Sequence, residues 1–381
     1  MNYLTKYLYS TLYMILGTLV LALVLRTWLV MGLVEPVLVA GSSMVPTLKG
    51  PSCSITCEHC GQTFEIGTEF QTNRIECLAC GFAENSAEGL PVERGDRLVV
   101  DRTAFQFRQP QRWEPVVFHS PADSQLTVKR IAGLPGEKVE LRDGDIWING
   151  QLATKSLAEM RVLGQLVHQE TDVAPRWHGK SWHRNDGVWQ IATSDDEWHW
   201  LGYRHPRGEP ITDDTAYNAG LTRRVFPVRD LSLSTSVHVR GQGELALRFD
   251  NGSEQFSLED KLNSDVFLEL FAFDRRCQVF LDGKLVAWNK LASITKIVGT
   301  PTPFAIGAKN LDVALSDLRL YRDIYHVSQH EELGMAEPMT PITLGANEIY
   351  VLGDNVPVSL DSRHWGPVPL RLIVGRPLGV R

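Results

Sequence analysis

The sequence predicts a mainly β protein with one N-terminal transmembrane helix, on three observations. The N-terminal segment is apolar and uncharged, later β-branched and aromatic residues recur in short runs between glycine and proline turns, and 381 residues exceed one ordinary core. The 43% hydrophobic and 22% charged composition is that of a folded chain. A net charge of −7 without a basic block argues against nucleic acid as the main partner.

The anchor is predicted from Tyr7–Leu25, which carries no charge. At about 1.5 Å per residue, this segment just spans a hydrocarbon core of about 30 Å. A signal peptide is the alternative, but its apolar region is usually about 7–15 residues and ends at a small-x-small cleavage site. No such site follows Arg26, so a retained anchor is favoured. Lys6 and Arg26 flank the segment and leave its orientation open.

The next predicted elements are strands with a hairpin after them. Glu35–Gly41 is apolar and β-branched, as a buried strand would be. Arg94–Arg102, Pro115–Pro121 and Leu126–Gly136 are strand-like runs bounded by turns. Arg142–Gly150 is typical of a hairpin, with Asp-Gly in its turn.

Between the first two strands lies a cysteine-rich segment. Cys57, Cys60, Cys77 and Cys80 form two C-x2-C pairs separated by sixteen residues. Four thiolates at this spacing suit tetrahedral zinc, and the glycines after Cys60 and Cys80 fit metal-binding knuckles. Disulfides in an oxidising compartment are the alternative.

The long segment at about residues 153–340 contains alternating strands separated by turns, which predicts a β-sandwich. The strand-like runs are Leu231–Val239, Gly243–Asp250, Val266–Asp274, Arg276–Trp288 and Val313–His326. Their alternation puts Cys277 on one face with Val279 and Leu281, as a free buried thiol; Cys53 is the other unassigned cysteine. The runs VFLDGKLV and SDLRLYRDIYH loosely resemble laminin-G or concanavalin-like jelly rolls, which often bind sugars or proteins. An unknown ligand of this sandwich is therefore an expectation.

Three segments carry candidate catalytic groups. In Gly41–Leu48, GSSMVPTL, two serines leave an apolar strand at a glycine, and backbone N–H groups there could face a cleft. Lys129 lies in an apolar run whose alternation separates it from Arg130. A lysine facing a dry cleft has a lowered pKa and can act as a base. From composition alone, a simple turn and a surface lysine remain alternatives.

The third segment is Gly353–Pro369, GDNVPVSLDSRHWGPVP. Asp361 and Arg363 have the i, i+2 spacing of one strand face, and a loop could also pair them. A serine hydroxyl here could orient a neutral lysine amine. An ordinary polar loop is the alternative.

Together these segments resemble the type I signal peptidases. ALVLRTWLVMGLVEPVLVAGSSMVPTL is similar to that family's anchor, linker and (S/G)-x-S-M-x-P-T-L box, and QRWEPVVFHSP, VKRIAGLPGEKVEL and GDNVPVSLDSRHWGPVP are similar to its three later boxes. The four occur in family order and cover roughly residues 5–49, 91–152 and 341–381. Trp113 and Glu114 depart from the family's Gly-Asp, and Val356-Pro357-Val358 replaces a more polar trio.

The resemblance implies Ser43 as nucleophile and Lys129 as general base, with Ser42 a minor rival nucleophile. Ser359 would hydrogen-bond the lysine, and Asp361 with Arg363 would form a supporting pair. Asp354 and Asn355 would shape the same loop.

The resemblance also implies an oxyanion site and a substrate strand. The Ser43 N–H would bind the oxyanion. Some family members add a serine side chain two residues before the nucleophile, where this chain has Gly41. Substrate would add as a strand beside residues 37–41, next to Val39, Ser42 and Met44, with small pockets for Ala or Gly.

The sequence therefore predicts four parts: an anchor (1–30), a catalytic domain (31–49, 89–152 and 341–381), a zinc-ribbon-like insert (50–88) and a β-sandwich insert (153–340). The expected function is removal of signal peptides from exported preproteins at the extracytoplasmic face of the cell membrane, without a catalytic cofactor. Its expected partners are signal peptides and the lipid bilayer. A binding module on a silent peptidase scaffold is one rival. A soluble Ser-His-Asp hydrolase is another, disfavoured because no G-x-S-x-G elbow is present.

Overall fold

A computed structural model describes residues 3–28, 32–69, 74–170, 175–250, 254–258, 265–291, 300–328, 331 and 340–380. Strands dominate these residues and one long apolar helix precedes them, which confirms the predicted fold class. The predicted end of the anchor, at residue 30, lies outside the described residues.

The long helix is α1, Tyr3–Trp28. Its 26 residues extend about 39 Å at about 1.5 Å per residue, enough to cross a bilayer core of about 30 Å. The large apolar side chains between Tyr9 and Trp28 are exposed rather than packed on protein. Within the described part of the chain, this helix alone is long and apolar enough to cross a membrane.

The described residues before residue 153 form nine strands. They are β1 (Val34–Leu38), β2 (Ser52–Thr56), β3 (Thr63–Gly67), β4 (Arg97–Asp101), β5 (Pro115–His119), β6 (Leu126–Gly133), β7 (Lys138–Arg142), β8 (Asp145–Ile148) and β9 (Gln151–Leu152). The predicted hairpin is present as β7 and β8. Asp143 and Gly144 between them have φ of 56° and 87°, which a two-residue hairpin turn requires.

The described residues from 153 to 340 form a short helix, thirteen strands and a 3-10 turn. They are α2 (Leu157–Leu163), β10 (Gln165–Gln169), β11 (Trp177–His178), β12 (His183–Asn185), β13 (Val188–Ala192), β14 (His199–Tyr203), the 3-10 turn Ala216–Asn218, β15 (Leu231–Arg240), β16 (Glu244–Phe249), β17 (Glu254–Ser257), β18 (Asp265–Phe273), β19 (Arg276–Leu281), β20 (Lys284–Lys290), β21 (Phe304–Lys309) and β22 (Asp312–Arg322). The predicted single run Arg276–Trp288 is wrong. Asp282 and Gly283 have φ of 48° and 76° and turn the chain into a hairpin there.

The remaining described residues form four strands, a short helix and two 3-10 turns. They are β23 (Ile342–Thr343), β24 (Glu348–Leu352), the 3-10 turn Val356–Val358, α3 (Ser362–Trp365), β25 (Val368–Pro369), the 3-10 turn Leu370–Leu372 and β26 (Ile373–Pro377).

One antiparallel sheet joins segments that are distant in sequence. Its strand order is β1-β4-β26-β5-β6-β24-β25. Strand β1 leads to Ser43, β6 contains Lys129, and β24 leads to Ser359. Pairing of β24 with β6 therefore brings the C-terminal loop to the lysine strand.

Two further sheets share one buried core. The larger contains β10, β12, β13, β15, β18, β19, β20 and β22, and the smaller contains β11, β14, β16, β17 and β21. Leu233 and Leu270 from the larger sheet pack with Leu201 and Ile306 from the smaller. Two sheets enclosing a common core form a sandwich, as the alternation predicts. Cys277 is a free, buried thiol in this core, as expected.

Candidate active site

The segment after β1 is a compact turn fixed by the C-terminal loop. The Ser42 carbonyl accepts hydrogen bonds from the Val45 N–H at 3.1 Å and from Asn355 Nδ2 at 3.0 Å. The Ser43 carbonyl accepts from the Asn355 N–H at 3.0 Å. One asparagine thus holds the carbonyls of both serines.

The two serines differ in their surroundings. Ser42 is buried, and its N–H and Oγ donate to the Glu69 carboxylate at 3.1 and 2.5 Å. Ser43 is half-buried. A Cβ atom on Gly41 would lie 3.5 Å from Glu69 Oε1, so this carboxylate lies where a side chain at position 41 would point. The serine with the accessible side chain is therefore Ser43.

Lys129 is buried in the middle of β6, opposite Val116 of β5. Burial lowers the pKa of Lys129 to about 8, because desolvation penalises the ammonium form. Asp361 opposes this shift and Arg363 adds to it. At pH 7 a lysine with a pKa of about 8 is neutral in roughly a tenth of molecules, which is a usable amount of base.

Arg130, the next residue, faces away from the lysine, as alternation predicts. Its guanidinium forms two hydrogen bonds with the Asp354 carboxylate, at 2.9 and 2.7 Å, and one with the Trp113 carbonyl at 2.7 Å. Thr47 Oγ1 donates to the same carboxylate at 2.5 Å. The cation that contributes to the lowered pKa of Lys129 is Arg363.

The predicted pair of Asp361 and Arg363 is present and buried. Asp361 accepts from Arg363 Nε at 2.9 Å and from the Gly353 N–H at 3.1 Å. Burial alone would raise the pKa of Asp361, but the Arg363 charge and these hydrogen bonds hold it below its ordinary value. Arg363 also donates to the carbonyls of Val356 at 2.7 Å and Ser359 at 3.0 Å, which shapes the loop.

Ser359 is buried next to the nucleophile segment. A Cβ atom at Gly353 would overlap both Ser359 Oγ and the Ser43 carbonyl oxygen, so both groups lie against this glycine. Among the described residues, Ser359 Oγ has no hydrogen-bond partner. The expected hydrogen bond between Ser359 and Lys129 is therefore not formed in this structure.

The neighbours of the two central residues pack together. Met44 and Leu48 from the serine turn form a cluster with Leu98, and Val39 and Val128 pack against it. Val128 directly precedes Lys129, so this contact places the serine turn beside the lysine strand. Strand β1 is the end strand of its sheet within the described residues, so one of its edges is open.

The four cysteines converge as the spacing predicts. Sγ atoms lie 3.7 Å apart in the pairs Cys57–Cys80 and Cys60–Cys77, and all four lie within 4.8 Å of one another. Tetrahedral zinc with Zn–S bonds of about 2.3 Å separates its sulfurs by about 3.8 Å, whereas a disulfide requires about 2.05 Å. All four are free thiols, and their arrangement fits a metal.

Comparison with known proteins finds similarity over part of the sheet that holds this site. A family model described as "Signal peptidase, peptidase S26" matches residues 84–184 and 296–379. The matched residues include Lys129, Ser359, Asp361 and Arg363, whereas Ser43 lies before them.

Curated relatives agree with this family. Signal peptidase I of Leptolyngbya laminosa is 37% identical over 16% of this chain and 34% of its own length. Signal peptidase I V of Bacillus subtilis (strain 168) is 28% identical over 24% of this chain and 56% of its own length. The chain thus spans about a third of the first relative's length. A signal peptidase I structure from Enterococcus faecalis V583 aligns with 71% of this chain and 97% of its own, at 15% identity and a TM-score of 0.22.

Proposed function

We propose that this chain is a type I signal peptidase, a membrane-anchored serine endopeptidase that removes N-terminal signal peptides from exported preproteins. One observation carries the proposal. A lysine that is 2% exposed and has a pKa of about 8 lies on the strand beside a turn with an accessible serine. Burial of a lysine costs stability, because desolvation penalises its charge, and a role as the base accounts for this cost.

In the proposed mechanism, neutral Lys129 accepts the proton of Ser43 Oγ while this oxygen attacks the scissile carbonyl. The Ser43 N–H stabilises the resulting oxyanion. Lys129 then gives the proton to the leaving amine as the peptide bond breaks and an acyl-enzyme forms. Water, deprotonated by the same amine, hydrolyses the ester and restores Ser43. Ser359 Oγ is proposed to orient the amine during these steps.

Substrate is proposed to bind as an extended strand along the open edge of β1 and the following residues, through Val39 and Gly41. Backbone hydrogen bonds would supply affinity in this arrangement. Small pockets beside Met44 would select Ala or Gly at the first and third positions before the cut. Ser42 would support the site through its contact with Glu69 rather than react.

The anchor, the domains and the metal complete the proposal. Helix α1 would cross the cell membrane once and hold the catalytic sheet at the extracytoplasmic surface. The chain is proposed to divide into the four parts predicted from the sequence, and the sandwich is proposed to bind an unknown ligand. Zinc held by the four cysteines would be structural, and the cysteine cluster takes no part in the proposed steps.

The proposal is tested with a peptide that carries Ala at the first and third positions before the cut. Wild type should cleave it in detergent, Ser43→Ala should be inactive, and Ser42→Ala should be only mildly impaired. Activity that survives in Ser43→Ala but is lost in Ser42→Ala would reverse the assignment. Folded wild type that cleaves nothing would favour the silent-scaffold alternative.

A further inference from the structure

The loop that holds the serine turn is itself held from outside the catalytic sheet. Asn355 is 3% exposed and uses its side-chain amide twice. One N–H donates to the Ser42 carbonyl at 3.0 Å, and the other donates to Asn218 Oδ1 at 2.9 Å. Asn218 Nδ2 returns a hydrogen bond to Asn355 Oδ1 at 2.8 Å. The two amides therefore hold each other in a single orientation.

Asn218 belongs to the long segment between residues 153 and 340, and lies 137 positions from Asn355. It ends the 3-10 turn Ala216–Asn218 and is buried. The hydroxyl of its neighbour Tyr217 shares its one proton between the Gly50 carbonyl at 2.9 Å and the Pro51 carbonyl at 3.1 Å. The 3-10 turn is thus attached both to the catalytic loop and to the chain that follows the serine turn.

A second residue of the same segment contacts the same loop. Gln165, in β10, donates from Nε2 to the Asp354 carbonyl at 3.0 Å and is buried. The Asp354 carboxylate binds Arg130, next to Lys129. Both side-chain amides thus act on consecutive residues that connect the serine turn with the lysine strand.

The contact between Asn218 and Asn355 affects the orientation of the peptide bond between Ser42 and Ser43. The Ser42 carbonyl and the Ser43 N–H belong to the same planar trans peptide, so they point in opposite directions. An asparagine that fixes the direction of the carbonyl therefore fixes the direction of the N–H. That N–H is the proposed oxyanion donor, and such donors act through preorganised orientation.

We propose that the segment between residues 153 and 340 is a working part of the active site, in which Asn218 and Gln165 are positioning residues that orient the Ser43 N–H and the Asp354 loop. This inference rests on the proposed peptidase function. It assigns the inserted sandwich a role that needs no ligand of its own.

The test compares kcat and KM of Asn218→Ala and Gln165→Ala with those of wild type, on the peptide described above. Loss of an oxyanion donor costs about 100- to 1,000-fold in kcat, and loosening one should cost less, about 10-fold for Asn218→Ala. KM should change by less than about twofold, because substrate contacts are retained. Asn185→Ala and Gln190→Ala are matched controls, exposed in the same segment, and should keep wild-type kcat.

A double-variant cycle separates positioning from general damage. If Asn218 acts through Asn355, then Asn218→Ala with Asn355→Ala should lose no more kcat than Asn355→Ala alone. The inference is overturned if the kcat losses of the two single variants multiply in the double variant. It is also overturned if Asn218→Ala and Gln165→Ala both keep wild-type kcat. Hydrogen exchange of residues 353–359 gives a readout without substrate, and protection there should fall in Asn218→Ala but not in Asn185→Ala. Unchanged protection would also count against the inference, whereas inactive wild type with normal loop protection would refute only the proposed function.

Discussion

Replacing Lys129 by methionine should stabilise the folded protein while abolishing its activity. The pKa of Lys129 is about 8 in the folded state and 10.5 when unperturbed. This difference of about 2.5 corresponds to about 3 kcal/mol, at about 1.4 kcal/mol per pH unit. Below pH 8 the lysine is protonated in both states, and its burial costs the folded state that full amount.

The pH dependence of this cost has a defined sign. Between pH 8 and pH 10.5 the unfolded chain binds more protons than the folded chain, so the stability contributed by Lys129 rises with pH. Lys129→Met should therefore be more stable than wild type by up to about 3 kcal/mol at pH 7, and the difference should vanish towards pH 10.5. Denaturant unfolding in detergent at both pH values measures it.

Lys155 provides a matched control, because its replacement by methionine should change stability in the opposite direction. Its ammonium is also buried, but it contacts Asp274 at 2.6 Å and Asp323 at 2.7 Å. Burial alone would lower the pKa of Lys155, and these carboxylates raise it above its ordinary value instead. Lys155→Met leaves both acids without their cation and should destabilise by about 3–5 kcal/mol. If Lys129→Met destabilises similarly at pH 7, the reasoning that Lys129 is desolvated without an ion-pair partner among the described residues is refuted.

Three further predictions concern the surroundings of the dyad. Asp361→Asn should destabilise the protein in denaturant unfolding by about 3–5 kcal/mol, because it removes the carboxylate that pairs with the buried Arg363 guanidinium; stability within about 1 kcal/mol of wild type would contradict this. Purified protein should carry about one zinc by metal analysis, lost in Cys57→Ser with Cys77→Ser, whereas no zinc and disulfides by mass spectrometry would refute the metal. Glu69→Gln should move the acid limb of the kcat/KM profile to lower pH, since the Glu69 carboxylate raises the pKa of Lys129; a move to higher pH would contradict that effect.

Much of the catalytic sheet could be predicted because its information is local. The apolar β-branched runs correspond to β1, β5 and β6, and Asp-Gly at residues 143–144 forms a hairpin turn. The pairing of Asp361 with Arg363 follows from their spacing in a short loop. For Arg130, strand alternation predicts only that its side chain points away from Lys129. Its hydrogen bond to Asp354 joins residues that are 224 positions apart, and no sequence pattern predicts it.

The contacts made by the inserted segments could not be predicted, because they join residues that are far apart in sequence. Glu69, Asn218 and Gln165 reach the serine turn and its loop across 27, 137 and 189 positions, respectively. Each is an ordinary polar residue in its own sequence context. Their positions depend on how the segments dock, which is set by tertiary packing rather than by local propensity.

A pH profile of kcat/KM tests the chemical identity of the base. Activity of wild type should rise with pH through an apparent pKa of about 8, as Lys129 loses its proton. Lys129→Arg should be inactive, because a guanidinium does not deprotonate in this range. An acid limb near 6.5, or near wild-type activity in Lys129→Ala, would point to a histidine instead.

The central claim is tested most directly by incubating a full-length preprotein with wild type, Ser43→Ala and Lys129→Ala in detergent, and determining the N-terminus of the product by mass spectrometry. The account predicts one cut after a small-x-small sequence by wild type, and uncut preprotein with both variants. Cleavage at the same bond by either variant, or uncut preprotein with folded wild type, would contradict it.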